Sequence, residues 1–151
     1  MDRFFAPPEG RLFACFPGAE ERPGQARMAE LVFDAIGEGS ARRKAWRDEG
    51  ADPETKPDAV VQAIEAGTGT GKSLGYLVPA MLHDKRVVVA TATLALQHQL
   101  VERDLPRLVE AVKDVPGIDT SYAVLKGRSN YACLHRIREG VPDDQGALVE
   151  V

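Results

Sequence analysis

Ala66-Gly67-Thr68-Gly69-Thr70-Gly71-Lys72-Ser73 is the stretch that decides how the rest of the chain is read. Three glycines alternate with threonines and end on a lysine and a hydroxyl, the pattern of a phosphate-binding loop with alanine at its first position. Each residue type has a chemical reason. Backbone N–H groups must converge on phosphate oxygens, and side chains at Gly67, Gly69 and Gly71 would obstruct the loop's conformation or its close approach to a ligand. Lys72 opens the following helix and reaches the β and γ phosphates, while the helix N-terminus adds partial positive charge beside them. The Ser73 hydroxyl is placed for a magnesium ion. Residues Ala66, Thr68 and Thr70 complete the cradle, so a nucleoside triphosphate with Mg2+ is the expected ligand. A glycine-rich turn that merely precedes a lysine is the plain alternative.

Working outward, Ala59 to Glu65 is a short β-branched run leading into the glycines, and Lys72 to His83 is a mostly apolar helix. Pro79 lies inside that helix and removes its hydrogen bond to the Gly75 carbonyl. Downstream, a strand is expected over Arg86 to Thr91, helices over Leu94 to Glu102 and Leu105 to Lys113, and a third strand over Ser121 to Leu125. Strands alternating with helices predict an α/β fold on a parallel sheet. Upstream, Met28, Leu31, Val32, Ala35 and Ile36 share one helical face from Pro23 to Ile36, with Gly37 as the stop signal. Residues 38–58 are charged and interrupted by Gly and Pro, which predicts a solvated loop insertion with Trp46 as its single oddity. Residues 1–21 show no periodicity and read as an irregular lead-in.

With 151 residues, 44% of them apolar and 28% charged, the chain suits one globular domain. A net charge of −4 argues against coating nucleic acid by bulk electrostatics, so any such contact must be local. Cys15 and Cys133 are far apart and form no CxxC pair, which fits a reducing cytoplasm rather than a disulfide framework. The N-terminus has no run of signal-peptide length. The longest nearly apolar stretch, Val87 to Leu96, is about half what a membrane span needs, so no membrane association is expected. His83, His98 and His135 share no metal-ligand spacing.

Four segments together carry a family resemblance. EAGTGTGKSLGYLVPA, ending at Ala80, resembles motif I of the superfamily 2 helicases. Arg22-Pro23-Gly24-Gln25 with Met28 is similar to the Q-motif, which implies that Gln25 pairs with the adenine edge, donating and accepting at once; an exposed first-turn helix residue is the other reading. VVVATATLALQHQL, ending at Leu100, resembles motif Ia, which implies that Thr91, Thr93 and Gln97 hold the phosphates of single-stranded DNA. Thr93 as a helix N-cap is the alternative, and one residue can do both. Leu125-Lys126-Gly127-Arg128-Ser129-Asn130-Tyr131-Ala132-Cys133 is similar to the KGRxNYxC stretch of the DinG/XPD iron-sulfur helicases, in which the cysteine is the first ligand of a 4Fe-4S cluster.

The resemblance implies a partial RecA-like P-loop NTPase domain over residues 22–125 and the start of an iron-sulfur region over 126–151. A cubane cluster takes four thiolates, so the remaining ligands are expected beyond Val151. Lys126 and Arg128, with His135, Arg136 and Arg138, make a positive run that reads either as a DNA-facing surface or as a solvated face. The implied activity is an ATP-dependent 5′ to 3′ DNA helicase of DNA repair, working as a monomer. The Asp-Glu-Ala-His motif that completes hydrolysis in that family is absent from this sequence, so the chain alone is expected to be incomplete for turnover. An unrelated P-loop phosphotransferase and a non-catalytic nucleotide- or DNA-binding remnant remain as other readings.

Overall fold

Pro23, at the first turn where a missing N–H costs nothing, opens the longest helix, α1 (Pro23–Asp48). The computed structural model describes residues 5, 10, 11, 16, 18, 20–83 and 85–139. They fall in two units, Met1–Ser121 and Tyr122–Val151; the sequence reading sets its boundary between Leu125 and Lys126. Most of the 1–21 lead-in and the stretch after 139 lie outside the described residues.

The expectation that α1 stops at Gly37 is corrected, since the helix runs eleven residues further, to Asp48. Gly37 and Gly39 keep negative φ, and a glycine that stays right-handed weakens a helix without ending it. Good helix formers follow, and Arg42 pairs with Glu38 one turn back at 2.5 Å. The true stop is Gly50 at φ 105°, where the Gly50 N–H reaches the Arg47 carbonyl and the Ala51 N–H the Trp46 carbonyl. This paired closure satisfies carbonyls the helix would otherwise leave open. The Trp46 indole N–H donates to the Asp52 carbonyl at 2.7 Å and ties the departing chain to the last turn. Of the expected 38–58 loop, only the part after Asp48 is irregular, and it contains one 3-10 turn, Pro53–Thr55, capped by the Asp52 carboxylate.

Helix α2 (Lys72–Met81) follows the glycine loop and packs on α1. The approach is close: a Cβ on Gly75 would lie 3.0 Å from the Met28 sulfur. The two helices expected over 94–113 are one continuous run, α3 (Leu94–Gln99), a π-helical turn (Leu100–Asp104) and α4 (Leu105–Val112). Pro106 cannot bond the Glu102 carbonyl, and the widened turn just before it accommodates that lost partner. Ala29, Leu77, Val78, Leu100, Leu108, Ala111 and Val112 form the core, with Leu108 and Ala29 fully buried. In the second unit a 3-10 turn (Arg128–Asn130) precedes α5 (Leu134–Glu139).

The expected parallel α/β sheet, and with it the RecA-like arrangement, is overturned: no strand occurs among the described residues. Residues 59–65, 86–91 and 121–125 are irregular. A β-branched run forms a strand only where a neighbouring backbone closes its ladder and a facing element covers its side chains. Here the apolar surface is buried among helices, while Val61 and Val88 stand 85% and 84% exposed.

Candidate functional site

The glycine loop, residues 66–73, is bonded to the start of α1 although 46 residues separate them in sequence. Gly69 and Gly71 take φ of 78° and 77°, a region open to glycine and strained for other residues. Gly67 has no such φ, and a Cβ there would meet nothing within 4 Å, so the chain's own packing places no demand on it. Gly71 is also the N-cap of α2, without a side chain to offer that helix. Its carbonyl accepts from the Leu74 and Gly75 N–H groups and additionally from the Gln25 amide at 2.8 Å. Arg22 donates to the Gly69 carbonyl at 2.7 Å.

Lys72 turns back over the loop. Its ammonium donates to the Ala66 and Gly67 carbonyls at 2.9 and 2.6 Å, and the Thr70 hydroxyl donates to the Gly67 carbonyl at 2.9 Å. Ser73 lies half-buried in the first turn of α2. Between loop and helix opens a cleft of about 410 Å³, with Glu20 and residues 22–25 on one side and Thr68, Gly69 and Thr70 on the other. Thus Arg22 and Gln25 are brought together with residues 66–73. Glu20, which also lines this cleft, was missed; its only sequence signal is its position just ahead of Arg22.

The other candidates lie elsewhere. Thr93 caps α3, its hydroxyl accepting from the Leu96 N–H at 3.2 Å, and the Thr91 hydroxyl donates to the Thr93 carbonyl at 3.4 Å. Gln97 is half-buried in α3. In the second unit, the Lys126 N–H donates to the Tyr131 hydroxyl at 2.8 Å and Arg128 begins the exposed 3-10 turn. Cys133, just ahead of α5, is a free and exposed thiol. Among the described residues no group of three or more His, Cys, Asp or Glu side chains could hold a metal ion. A four-thiolate cluster therefore does not fit these residues as a complete site, since Cys133 offers one corner of it. No described helix is long and apolar enough to cross a membrane.

No protein-family model and no solved structure matches the chain. Curated proteins do. The ATP-dependent helicase DinG of Mycobacterium tuberculosis is 44% identical over 128 residues, which is 82% of this chain and 16% of that protein. The ATP-dependent DNA helicase YoaA of Escherichia coli is 38% identical over 132 residues, 87% of this chain and 17% of its own. Over most of its own length the chain is similar to DinG-like helicases. A further relative, the 3'-5' exonuclease DinG of Bacillus subtilis, is 33% identical over 135 residues and is covered to 12%. This DinG-like chain thus spans about an eighth to a sixth of the length of these curated relatives. The family expected from the four motifs is borne out.

Proposed function

We propose that residues Ala66–Ser73 bind the triphosphate of ATP and that the chain is the nucleotide-binding opening portion of an ATP-dependent DNA helicase. The observation that carries this reading is the Lys72 ammonium, held on two carbonyls of a glycine loop at a helix N-terminus. A cation in that place, beside N–H groups with no side-chain cap, is poised to exchange carbonyl partners for phosphate oxygens. Ser73 would offer its hydroxyl to Mg2+, with phosphate and water supplying the other ligands.

The longer protein is proposed to couple ATP hydrolysis to 5′ to 3′ movement along single-stranded DNA, as a cytoplasmic monomer serving DNA repair. Thr91, Thr93, Gln97, Lys126 and Arg128 would grip phosphates, and Cys133 would supply one thiolate of a 4Fe-4S cluster. The chain lacks the Asp-Glu-Ala-His carboxylates, so residues 1–151 alone should turn over ATP several orders of magnitude more slowly than the longer protein.

Equilibrium binding of Mg-ATP to this chain tests the reading. Lys72→Ala should weaken ATP by about 10- to 100-fold, the worth of a lost charged hydrogen bond, while leaving single-stranded DNA affinity unchanged. Unaltered ATP affinity in that variant sinks the role of Lys72. Robust DNA-stimulated hydrolysis by the 151-residue chain would contradict its incompleteness.

A further inference from the structure

We propose that the outer half of α1 is a nucleic-acid arm, with Arg43 and Arg47, flanked by Lys44, laid against the phosphate backbone of double-stranded DNA. The inference stands apart from the nucleotide site and uses residues outside it.

Helix α1 is longer than its packing requires. Its contacts with the glycine loop and α2 advance together, Gln25 at Gly71 and Met28 at Gly75, so the ten residues of α2 end alongside the middle of α1. Gln25 and Ala29 are buried, and no residue of the helix after Ala29 is. Residues 37–48 therefore form an arm of about 18 Å that the core does not hold. The turn at Gly50 and the bond from the Trp46 indole to the Asp52 carbonyl close its far end, and the helix stays wound past Arg47.

Charge on the arm is sorted by side. Gln25, Ala29, Ile36, Arg43 and Arg47 follow one another by four or seven residues, so one side of α1 carries them all. That side is buried beside α2 and basic where it runs free. The neighbours one turn from Arg43 and Arg47 include Gly39, Ser40, Trp46 and Gly50, and no acid. Asp34 and Glu38 lie on the opposite side, where Glu38 takes Arg42. Arg27, Arg103 and Lys113 also have carboxylate partners. Arg43, Lys44 and Arg47 are exposed and, among the described residues, have none, although Asp48 lies one turn from Lys44. The helix dipole favours cations near the C-terminus on any side, so it does not account for the sorting.

An unpaired basic strip on a chain of net charge −4 suits a polyanion that reaches that side alone. Binding a single strand draws on aromatic stacking as well as charge. Trp46 is tied into the closure at Asp52, and Phe33 lies nearly three turns before Arg43. A protein partner would look for an apolar anchor among the charges, which the strip lacks. A duplex backbone asks for cations only.

The test measures how the 151-residue chain binds a short DNA duplex, the matching single strand and polyglutamate across a salt series. Arg43→Gln/Arg47→Gln is compared with Arg27→Gln/Lys113→Gln, which loses equal charge. For the duplex, the slope of log affinity against log salt should fall by about 2 in the arm variant and hold in the other. Arg43→Lys/Arg47→Lys keeps the charge and should keep the slope. An equal fall in both glutamine variants would reduce the effect to bulk charge and overturn the arm, as would a lysine variant that loses the slope. Loss confined to the single strand, or polyglutamate bound more tightly than the duplex, would overturn it in favour of a strand contact or an acidic protein. A wild-type chain that binds no duplex even at low salt would leave the arm without its occupant, and the proposal falls.

Discussion

Gly67, Gly69 and Gly71 look alike in sequence, yet the structure asks different things of them, and this difference is measurable. Gly71→Ala combines a left-handed φ, about 1–2 kcal/mol for an L-residue, with eviction of the Gln25 amide, about 1 kcal/mol more. Gly69→Ala carries the backbone cost alone, and Gly67→Ala neither, so its stability should stay within about 0.5 kcal/mol of wild type. Urea denaturation should rank the variants in that order. Nucleotide binding need not follow the same order, because in the proposed phosphate site the open room at Gly67 would serve a ligand and not the chain. The alternating glycines and the lysine were legible as a loop, since their spacing states a backbone requirement directly. That α1 reaches back to them was hinted at by Arg22 and Gln25, but which atoms meet was hidden: a pairing across 46 residues depends on how two helices cross, and no local pattern records that.

Among the elements, α1 shows most clearly where local reading ends. Gly37 looked like a stop because a helix stop is written with glycine, but a stop is a left-handed conformation, and that falls to Gly50. The sequence offers both glycines; only the backbone geometry separates them. Replacing Gly37 and Gly39 with Ala should therefore stabilise the chain by about 0.5–1 kcal/mol each, by helix propensity alone. A new Cβ at Gly37 meets nothing, and at Gly39 it makes ordinary contact with Val60 at 3.9 Å. Gly50→Ala should destabilise by about 1 kcal/mol through its positive φ. Thermal unfolding of the three variants checks both signs, and a destabilising Gly37→Ala would mean that the helix breaks where the sequence suggested. The Thr93 cap, by contrast, was legible in advance, because a β-region threonine ahead of an apolar run satisfies an orphan N–H within its own turn.

For the molecule as a whole, the question is which apolar residues hold it together. A sheet would draw on the valines of 59–65 and 86–91; the helical core draws instead on Ala29, Leu77, Val78, Leu100, Leu108, Ala111 and Val112. Apolar β-branched runs declare a readiness to be paired and not the presence of a partner, which is why fold class was the least legible property of this chain. The two accounts separate by substitution in the 151-residue chain. Val88→Lys and Val61→Lys, at positions 84% and 85% exposed, should change the unfolding free energy by no more than about 0.5 kcal/mol. Leu108→Ala, at a position with no exposed surface, should cost about 2–5 kcal/mol by removing buried methyl groups and leaving a cavity. If a lysine at either valine proved as damaging as alanine at Leu108, those valines would be packed in solution and the helical arrangement would fall. Because Leu108 and the valines lie in the same unit, one denaturation curve per variant decides between the two cores.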